Sequence, residues 1–373
     1  MYRASIALLC SLATVTATAA TLEEIRAEHG LPALTAGQLT SGSISVQTAG
    51  VRKLSDATAA TDTDSWHLGS NTKAITATLG AILVEKGFLT WDTTVAEVFP
   101  EWNVHPHYRT ITLKELFAHR AGVHADISTF QGGQLWRRMW EPNADQVALR
   151  QEFAKATVEA PPETDGSKWI YSNSGYMVAG QMLSKVTGKT WETLVEDYVF
   201  GPLHMRCGFG APGKTSDSRV LEPWPHLNIA GVLTPVMPTD LQSDNPPALG
   251  PAGTIHCSMR DWLRFAKAHL DGFNGRDTVA LTARGFAKLH EDYKGQGYTS
   301  GGFIYEKREG KTYLGHNGTN GMNFALLVLD TANDKAYVSV TNAGGLSGLK
   351  GARATMISAG SPDVCMGELC LLK

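Results

Sequence analysis

Hydrophobic residues recur at helical spacing directly after Ser70. The apolar positions from Ile75 to Leu83 lie three or four residues apart, and Gly87 supplies a stop. This pattern predicts a buried helix with Ser70 near its N-terminus. A shorter helix is predicted over residues 21–29, with Thr21 as its N-cap.

Helical patterns dominate the middle of the chain. Residues 111–205 contain several amphipathic runs, with Gly188 as an internal break. Residues 206–257 are rich in Pro, Gly and Asp and predict an irregular, functional loop region, after which the segment SMRDWLRFAKAHLDG resumes a helix.

Strand patterns occur near both ends of the chain. Alternation over residues 43–54 predicts a hairpin that turns at Gly50, and the segments GGFIYE, KTYLGH, NFALLVLD and KAYVSVTN predict an antiparallel sheet. We expect the early hairpin to join the late strands in one α/β (α+β) part, residues 21–75 and 250–373, around a helical insertion at 76–249.

The composition is that of a globular protein from about residue 21 onward. Of 373 residues, 43% are hydrophobic and 18% are charged, and the net charge is -3. No basic run resembles a phosphate-binding stripe, so we expect no nucleic-acid partner.

The first twenty residues have the pattern of a secretory signal peptide. One Arg precedes an apolar run from Ile6 to Val15, and Ala17-Thr18-Ala19 matches a signal-peptidase site. Leu9 before Cys10 disfavours lipid attachment. Because no later segment reaches 18 consecutive apolar residues, we expect an exported protein without an integral membrane segment after signal removal.

Four cysteines remain after the predicted signal: Cys207, Cys257, Cys365 and Cys370. Export would permit disulfides, and a local bridge between the last two is one possibility. No CxxC pair exists and the histidines are scattered, so we expect neither a metal nor another cofactor. His105, His107, His119 and His124 are close in sequence but match no metal-ligand spacing, which favours structural or surface roles.

Ser70 and Lys73 combine a hydroxyl with an amine three residues apart at a helix start, so both project from the same face. A serine needs a neighbour to accept its proton, and a lysine does so when burial lowers its pKa. The free N–H groups of the helix N-terminus favour a nearby oxyanion. Alone, this spacing is more often that of a capping serine beside a solvated lysine.

Two further motifs carry suitable groups. Tyr171 and Asn173 open a helix, where a tyrosine beside a lysine relays protons and an amide orients a carbonyl. The triplet at residues 316–318, His-Asn-Gly, ends a strand, where Gly318 would let a substrate approach the backbone. The N–H of Thr319 would complete an oxyanion hole with that of Ser70.

Together these motifs resemble those of the serine β-lactamase and penicillin-binding protein superfamily, especially the class C β-lactamase, DD-peptidase and family VIII esterase branch. The resemblance covers nearly the whole chain after residue 20, in segments such as HLGSNTKAITATLGAILVEKGFLTWD, ITLKELFAHRAGV and GHNGTNGMNFALLVLD. It implies a β-lactamase/transpeptidase-like fold, an antiparallel sheet flanked by helices plus an all-α domain. It also implies that Ser70 is the acylated nucleophile, Lys73 its activator, Tyr171 the proton relay and Asn173 a substrate-side donor. His316, Asn317 and Gly318 would form the sheet-edge motif.

His316 departs from the Lys-Thr-Gly found in many members of that superfamily. A histidine is only partly charged at neutral pH, which weakens the case for binding the carboxylate of a β-lactam or a D-Ala-D-Ala end. We therefore expect an exported serine hydrolase that cleaves an ester, amide or peptide bond of a small molecule. A D-Ala-D-Ala carboxypeptidase or β-lactamase is one alternative, and a non-catalytic binding or scaffold protein on the same fold is another.

Overall fold

The computed structural model describes residues 20–125, 127–215 and 218–363. Most of the predicted signal, Cys365 and Cys370 lie outside these residues. The strands are β1 (Ala33–Thr40), β2 (Ser43–Gly50), β3 (Ser65–His67), β4 (Gly208–Phe209), β5 (His226–Ile229), β6 (Val232–Pro235), β7 (Ile255–Ser258), β8 (Ile304–Arg308), β9 (Lys311–Thr319), β10 (Phe324–Asp330) and β11 (Lys335–Thr341). The α-helices are α1 (Leu22–Glu28), α2 (Thr72–Glu85), α3 (Val95–Val98), α4 (Leu113–Phe117), α5 (Gln134–Met139), α6 (Gln146–Glu159), α7 (Asn173–Thr187), α8 (Trp191–Val195), α9 (Gly250–Gly253), α10 (Met259–Phe273), α11 (Ala283–His290) and α12 (Gly345–Ser358).

The main sheet joins the two ends of the described chain. Its strand order is β2-β1-β11-β10-β9-β8, and every neighbouring pair is antiparallel. Leu34 on β1 lies opposite Thr341 on β11. The early hairpin therefore does pair with the late strands, and the fold is the β-lactamase/transpeptidase-like α/β fold that the resemblance implies.

The predicted position of that hairpin was wrong. Its turn lies at Ser41 and Gly42, both with positive φ, whereas Gly50 is the last residue of β2. The first strand, Ala33–Thr40, was missed because its apolar alternation is weak and interrupted by Gly37. A Cβ on Gly37 would lie 2.8 Å from the Val338 side chain, so a glycine is needed there for close packing.

Helices cover both faces of the sheet. Leu326 and Val328 on β10 pack with Leu349 and Met356 of α12, whereas the alternate residues of β10 join the main core. Strands buried on both faces explain why NFALLVLD is almost continuously apolar.

Helix α2 crosses the interior of the molecule. Every residue from Thr72 to Leu83 is buried. Gly180 of α7 permits the close approach of Pro251 on α9, and the Thr76 hydroxyl donates to the Pro251 carbonyl over 2.8 Å. The interior helix is thereby fixed against the helical part of the protein.

The irregular region at 206–257 contains short strands within the part predicted to be helical. Strands β5 and β6 form a hairpin, and β7 lies between β3 and β4 in a small sheet. A disulfide joins Cys207 to Cys257, a pairing that the sequence left open. In the described ranges, no helix combines the length and the apolar character needed to cross a bilayer.

Candidate active site

Ser70 lies in a tight turn between β3 and α2. A single 3₁₀ turn, Gly69–Asn71, runs directly into α2, and the Leu68 N–H donates to the Ile255 carbonyl on β7. Gly69 has φ +52°, a left-handed conformation that suits glycine. The serine is half-buried at the end of a helix whose remaining residues are fixed by packing.

Lys73 projects from the first turn of α2 toward Ser70, as their spacing predicts. Its Nζ lies 3.1 Å from Ser70 Oγ, 2.7 Å from Asn173 Oδ1 and 2.8 Å from the carbonyl oxygen of Ala252. Asn173 therefore contacts the lysine directly. The Ala252 carbonyl, on the short helix α9, was missed because a backbone acceptor leaves no side-chain signal in the sequence.

Burial lowers the pKa of Lys73 well below its usual range, because the ammonium form loses hydration inside the protein. The side chain is fully buried, and its three polar neighbours are a hydroxyl, an amide oxygen and a carbonyl oxygen rather than a carboxylate. This environment favours the neutral amine, the form that accepts a proton.

The end of β9 lies against the Ser70 turn, backbone to backbone. A Cβ on Gly318 would collide with the Leu68 carbonyl and would lie only 2.7 Å from Ser70 N, and a Cβ on Gly69 would collide with Thr319 N. Thr319 N is thus beside the nucleophile turn, as predicted for an oxyanion hole. Gly318 also admits this turn, and the approach of a substrate to its backbone stays a prediction.

His316 is buried on β9 and uncharged at neutral pH. Burial, helped by the nearby Lys73, lowers its pKa to about 3. Its Nδ1 contacts the Asn317 carbonyl, which leaves Nε2 to accept from the Tyr298 hydroxyl at 3.2 Å. The expected partial charge is therefore absent. Asn317 is half-buried and pairs opposite Leu326 of β10.

Tyr171 borders the lysine from the α7 side. Lys73 Nζ lies 4.7 Å from the centroid of the Tyr171 ring, within range of a cation–π contact when the amine is charged. The ring packs 4.5 Å from that of His119, centroid to centroid. Ser70, Lys73, Tyr171 and Asn173 thus meet in one place, as the sequence motifs predict.

His119 has a larger part than its sequence position indicated. It is buried, and its Nδ1 accepts from the Ser172 N–H over 3.1 Å, which fixes the loop that carries Tyr171. Burial lowers its pKa well below the usual range, and nearby Lys73 adds to the effect. The sequence favoured a structural role, and the contacts are those of a residue that supports the site.

Within the described part of the chain, no three His, Cys, Asp or Glu side chains are grouped so that they could hold a metal ion. The chemistry of the site can be assembled from a hydroxyl, an amine, a phenol and backbone N–H groups.

A serine beside a buried lysine, on an antiparallel sheet flanked by helices, is the site of a serine hydrolase. The chain belongs to the Beta-lactamase family, whose model matches residues 18–359.

Its relatives include Penicillin-binding protein 4 of Amycolatopsis lactamdurans, which is 28% identical over 336 residues covering 86% of this chain and 84% of that protein. The octameric penicillin-binding protein homologue from Pyrococcus abyssi has the same fold, with a TM-score of 0.71 and 21% identity over 91% of this chain and 76% of its own. D-amino acid amidase from Ochrobactrum anthropi SV3, complexed with L-phenylalanine amide, has a TM-score of 0.69 and 19% identity over 91% of this chain and 98% of its own.

Proposed function

We propose that this protein is an exported serine hydrolase that cleaves an ester or amide bond of a small molecule through a Ser70 acyl-enzyme. The observation that carries the proposal is the buried Lys73 amine 3.1 Å from Ser70 Oγ, with no carboxylate among the acceptors around it. An amine in this environment is a base at pH values where an exposed lysine is charged.

The hydrogen bonds of Lys73 fit a proton acceptor. In the neutral amine, two N–H groups serve Asn173 and Ala252, and the lone pair faces Ser70 Oγ. As Oγ bonds to the substrate carbonyl carbon, the hydroxyl proton passes to Nζ and the carbonyl π electrons move to its oxygen. The N–H groups of Ser70 and Thr319 then stabilise that oxyanion.

Collapse of the tetrahedral adduct breaks the bond to the leaving group. The proton held on Nζ returns to the leaving alcohol or amine, with Tyr171 as the relay. Water then attacks the acyl-enzyme and loses a proton to Nζ. The bond between the acyl carbon and Oγ breaks, Nζ returns that proton to Oγ, and the acid leaves with Ser70 and the neutral amine restored.

Substrates without an essential carboxylate fit this site best. His316 is neutral, so it supplies no fixed cation at the position where many superfamily members have lysine. This favours uncharged esters and amides over β-lactams and D-Ala-D-Ala ends. Amides and a penicillin should also be tested, because a D-amino acid amidase shares the fold and the relative from Amycolatopsis is a penicillin-binding protein.

Two observations support export. Residues 1–20 have a signal-peptide pattern, and Cys207 and Cys257 form a disulfide, which persists in oxidising compartments. A non-catalytic scaffold is disfavoured, because burying a lysine amine among neutral acceptors costs the hydration of its charged form, a cost without benefit to a protein that has no use for the neutral amine.

The test is covalent labelling followed by turnover. A fluorophosphonate probe is expected to modify Ser70, identified by peptide mass, whereas the Ser70→Ala variant is not labelled. The same proteins are then assayed with p-nitrophenyl esters, D-amino-acid amides, D-Ala-D-Ala peptides and nitrocefin. If neither fluorophosphonate nor labelled penicillin forms an adduct on Ser70, the proposed function is refuted. Turnover of nitrocefin that is faster than that of the esters and amides would favour the β-lactamase alternative.

A further inference from the structure

A buried carboxylate lies behind the nucleophile turn, in the region that the sequence left as irregular loop. Asp244 is 5% exposed. Its Oδ1 accepts from the Asn320 side-chain amide at 2.9 Å and from the Asn245 N–H at 2.7 Å, and the same oxygen is 2.7 Å from His67 Nε2. One carboxylate oxygen therefore accepts two N–H groups and is in close contact with the His67 ring.

The histidine connects this carboxylate to the Ser70 turn. His67 is buried, and its Nδ1 accepts from the Gly69 N–H at 3.1 Å. A nitrogen that accepts carries no proton, so the ring hydrogen is on Nε2, which faces Asp244. His67 thus lies between the carboxylate and the residue immediately before the nucleophile.

The asparagine connects the same carboxylate to the end of β9. Asn320 directly follows Thr319, whose N–H lies beside the nucleophile turn. The Asn320 Oδ1 accepts from the N–H groups of Met322 and Asn323, at 3.1 and 3.0 Å, and so orders the turn after the strand. Both backbone segments that supply oxyanion donors are therefore attached to one oxygen of Asp244.

Asn245, the residue after Asp244, contacts a third backbone segment of the site, the one that contains Ala252 and Gly253. The Asn245 Nδ2 donates to the Gly253 carbonyl at 2.8 Å, and the preceding residue, Ala252, is the carbonyl acceptor of Lys73. The loop at 244–245 thus contacts every backbone segment that aligns the nucleophile, its base and the oxyanion hole.

We propose that Asp244 is a positioning residue for acyl transfer, which aligns the oxyanion-hole N–H groups of Ser70 and Thr319 through His67 and Asn320. The inference rests on the proposed function, since it concerns the efficiency of that reaction. Asp244 does not touch the reacting atoms. Two other titratable groups are near it. One is His256 on β7, whose pKa is lowered mainly by burial, and the other is Lys214, since Lys214 Nζ and Asp244 Oδ2 lie 3.1 and 4.0 Å from the position of a Cβ on Gly210.

The test distinguishes misalignment of the oxyanion hole from a general loss of stability by comparing two substrates that differ in one atom, the carbonyl oxygen of the ester. A thiono ester replaces the carbonyl oxygen with sulfur, which is larger and a poor hydrogen-bond acceptor, so its hydrolysis depends little on the hole. Wild type should therefore prefer the oxo ester. Loss of one oxyanion donor lowers kcat by roughly 10²–10³.

Asp244→Ala is expected to lower kcat for the oxo ester by about a hundredfold with KM within about threefold, and to lower kcat for the thiono ester far less. Asp244→Asn keeps an acceptor oxygen in place and should recover most of the oxo preference. Asn320→Ala removes the link from Asp244 to β9, together with the turn contacts of Asn320 Oδ1, but leaves the His67 contact in place. It changes a half-buried position and should show the same signature more weakly if Asp244→Ala does not fold.

Asp330→Ala is the matched control, because Asp330 is also a buried carboxylate but is the last residue of β10, where it accepts from the side-chain amide of Asn333. It should lose stability and keep the oxo-to-thiono ratio. Equal losses on both esters in the Asp244 and Asn320 variants, or no loss, would overturn the inference. If wild type hydrolyses no ester or amide, the proposed function itself fails, so the two failures are distinct.

Discussion

Lys73 is an unusual residue because the protein buries it among neutral acceptors. Three oxygens at 2.7–3.1 Å satisfy its polar atoms, so the amine needs no carboxylate to stay inside. A carboxylate there would raise the pKa and hold the ammonium form. Without a carboxylate beside it, the amine stays neutral and can accept a proton.

The first prediction concerns the pH dependence of that amine. For an uncharged ester, kcat/KM should rise with pH through the depressed pKa of Lys73, since only the neutral form accepts the Ser70 proton. Lys73→Met should lower kcat/KM by roughly 10²–10⁴ and remove this acidic limb from the residual activity. A pH–rate profile measures both.

The control for that experiment is Lys185→Met, which removes an exposed lysine paired with Glu101. It should leave the profile unchanged. An acidic limb that persists at the same pH in Lys73→Met would show that another group is the base.

Sequence reasoning found the side chains that meet at the site and the N–H groups of Ser70 and Thr319, and it missed other backbone groups that contact the site. Ser70 and Lys73 are separated by one helical turn, so their contact follows from local geometry. The Ala252 carbonyl and the Gly69 N–H bring no motif of their own, because any residue has these groups. Their role depends on chain segments nearly two hundred residues apart that only the fold brings together.

At the scale of elements, β9 and the Ser70 turn pack too closely to admit a side chain at Gly318. Gly318→Ala would force the strand away from the turn, because the new methyl group would overlap the Leu68 carbonyl. We expect kcat/KM to fall by roughly 10²–10³ as the oxyanion donors separate. Steady-state kinetics on an ester that wild type accepts would measure this.

Gly201→Ala is the companion variant. There the nearest atom to the new methyl, the Glu196 carbonyl oxygen, lies 3.2 Å away, and the position is remote from Ser70. Its kinetics should match wild type within about twofold. Unchanged activity in Gly318→Ala would mean that the two segments separate freely without losing the hole.

The disulfide supports another pair of elements. Cys257 lies on β7 opposite Trp66 of β3, the strand that leads to Ser70, and Cys207 is 50 residues earlier in sequence. Closing a loop of this length stabilises a fold by about 4 kcal/mol. Urea unfolding of the oxidised protein, compared with the Cys207→Ser/Cys257→Ala variant, should show a difference of this order. Coincident unfolding curves would contradict it.

Element prediction worked where local signals were strong. The cap at Thr21 with Glu24 and the left-handed Gly188 mark helix ends that are visible in sequence. Strand β1 was not predicted because Gly37 and other small residues there allow close packing against α10 and β11, and they form no alternating pattern along the sequence. The partners that justify such residues lie far along the chain.

For the whole molecule, buried histidines predict acid sensitivity. Burial lowers the pKa of His226 to about 4 and that of His290 and His316 to about 3. Unfolding restores their ordinary pKa near 6.5, so between these values the unfolded chain binds more protons. Stability is therefore complete above about pH 7 and decreases as the pH falls, by about 1.4 kcal/mol per pH unit for each histidine.

Urea unfolding from pH 7.5 to pH 5 tests this. His290→Gln retains an amide that can donate to His269, as His290 Nε2 does at 2.8 Å, and should reduce the slope of stability with pH by about one proton. Exposed His204→Gln should leave the slope unchanged. An identical slope in His290→Gln would rule out this histidine as a source of the acid sensitivity.

The pairing of β1 with β11 has a consequence for the order in which the protein folds during synthesis. Leu34 on β1 pairs with Thr341 on β11, roughly three hundred residues later in the chain. The edge of β1 that faces β11 therefore has no partner until that strand has been synthesised. Contacts of such long range slow folding and postpone the closing of the sheet until nearly all of the chain is synthesised. The turn that carries Ser70 lies against β9 of the same sheet, so we expect it to reach its final geometry only late in synthesis.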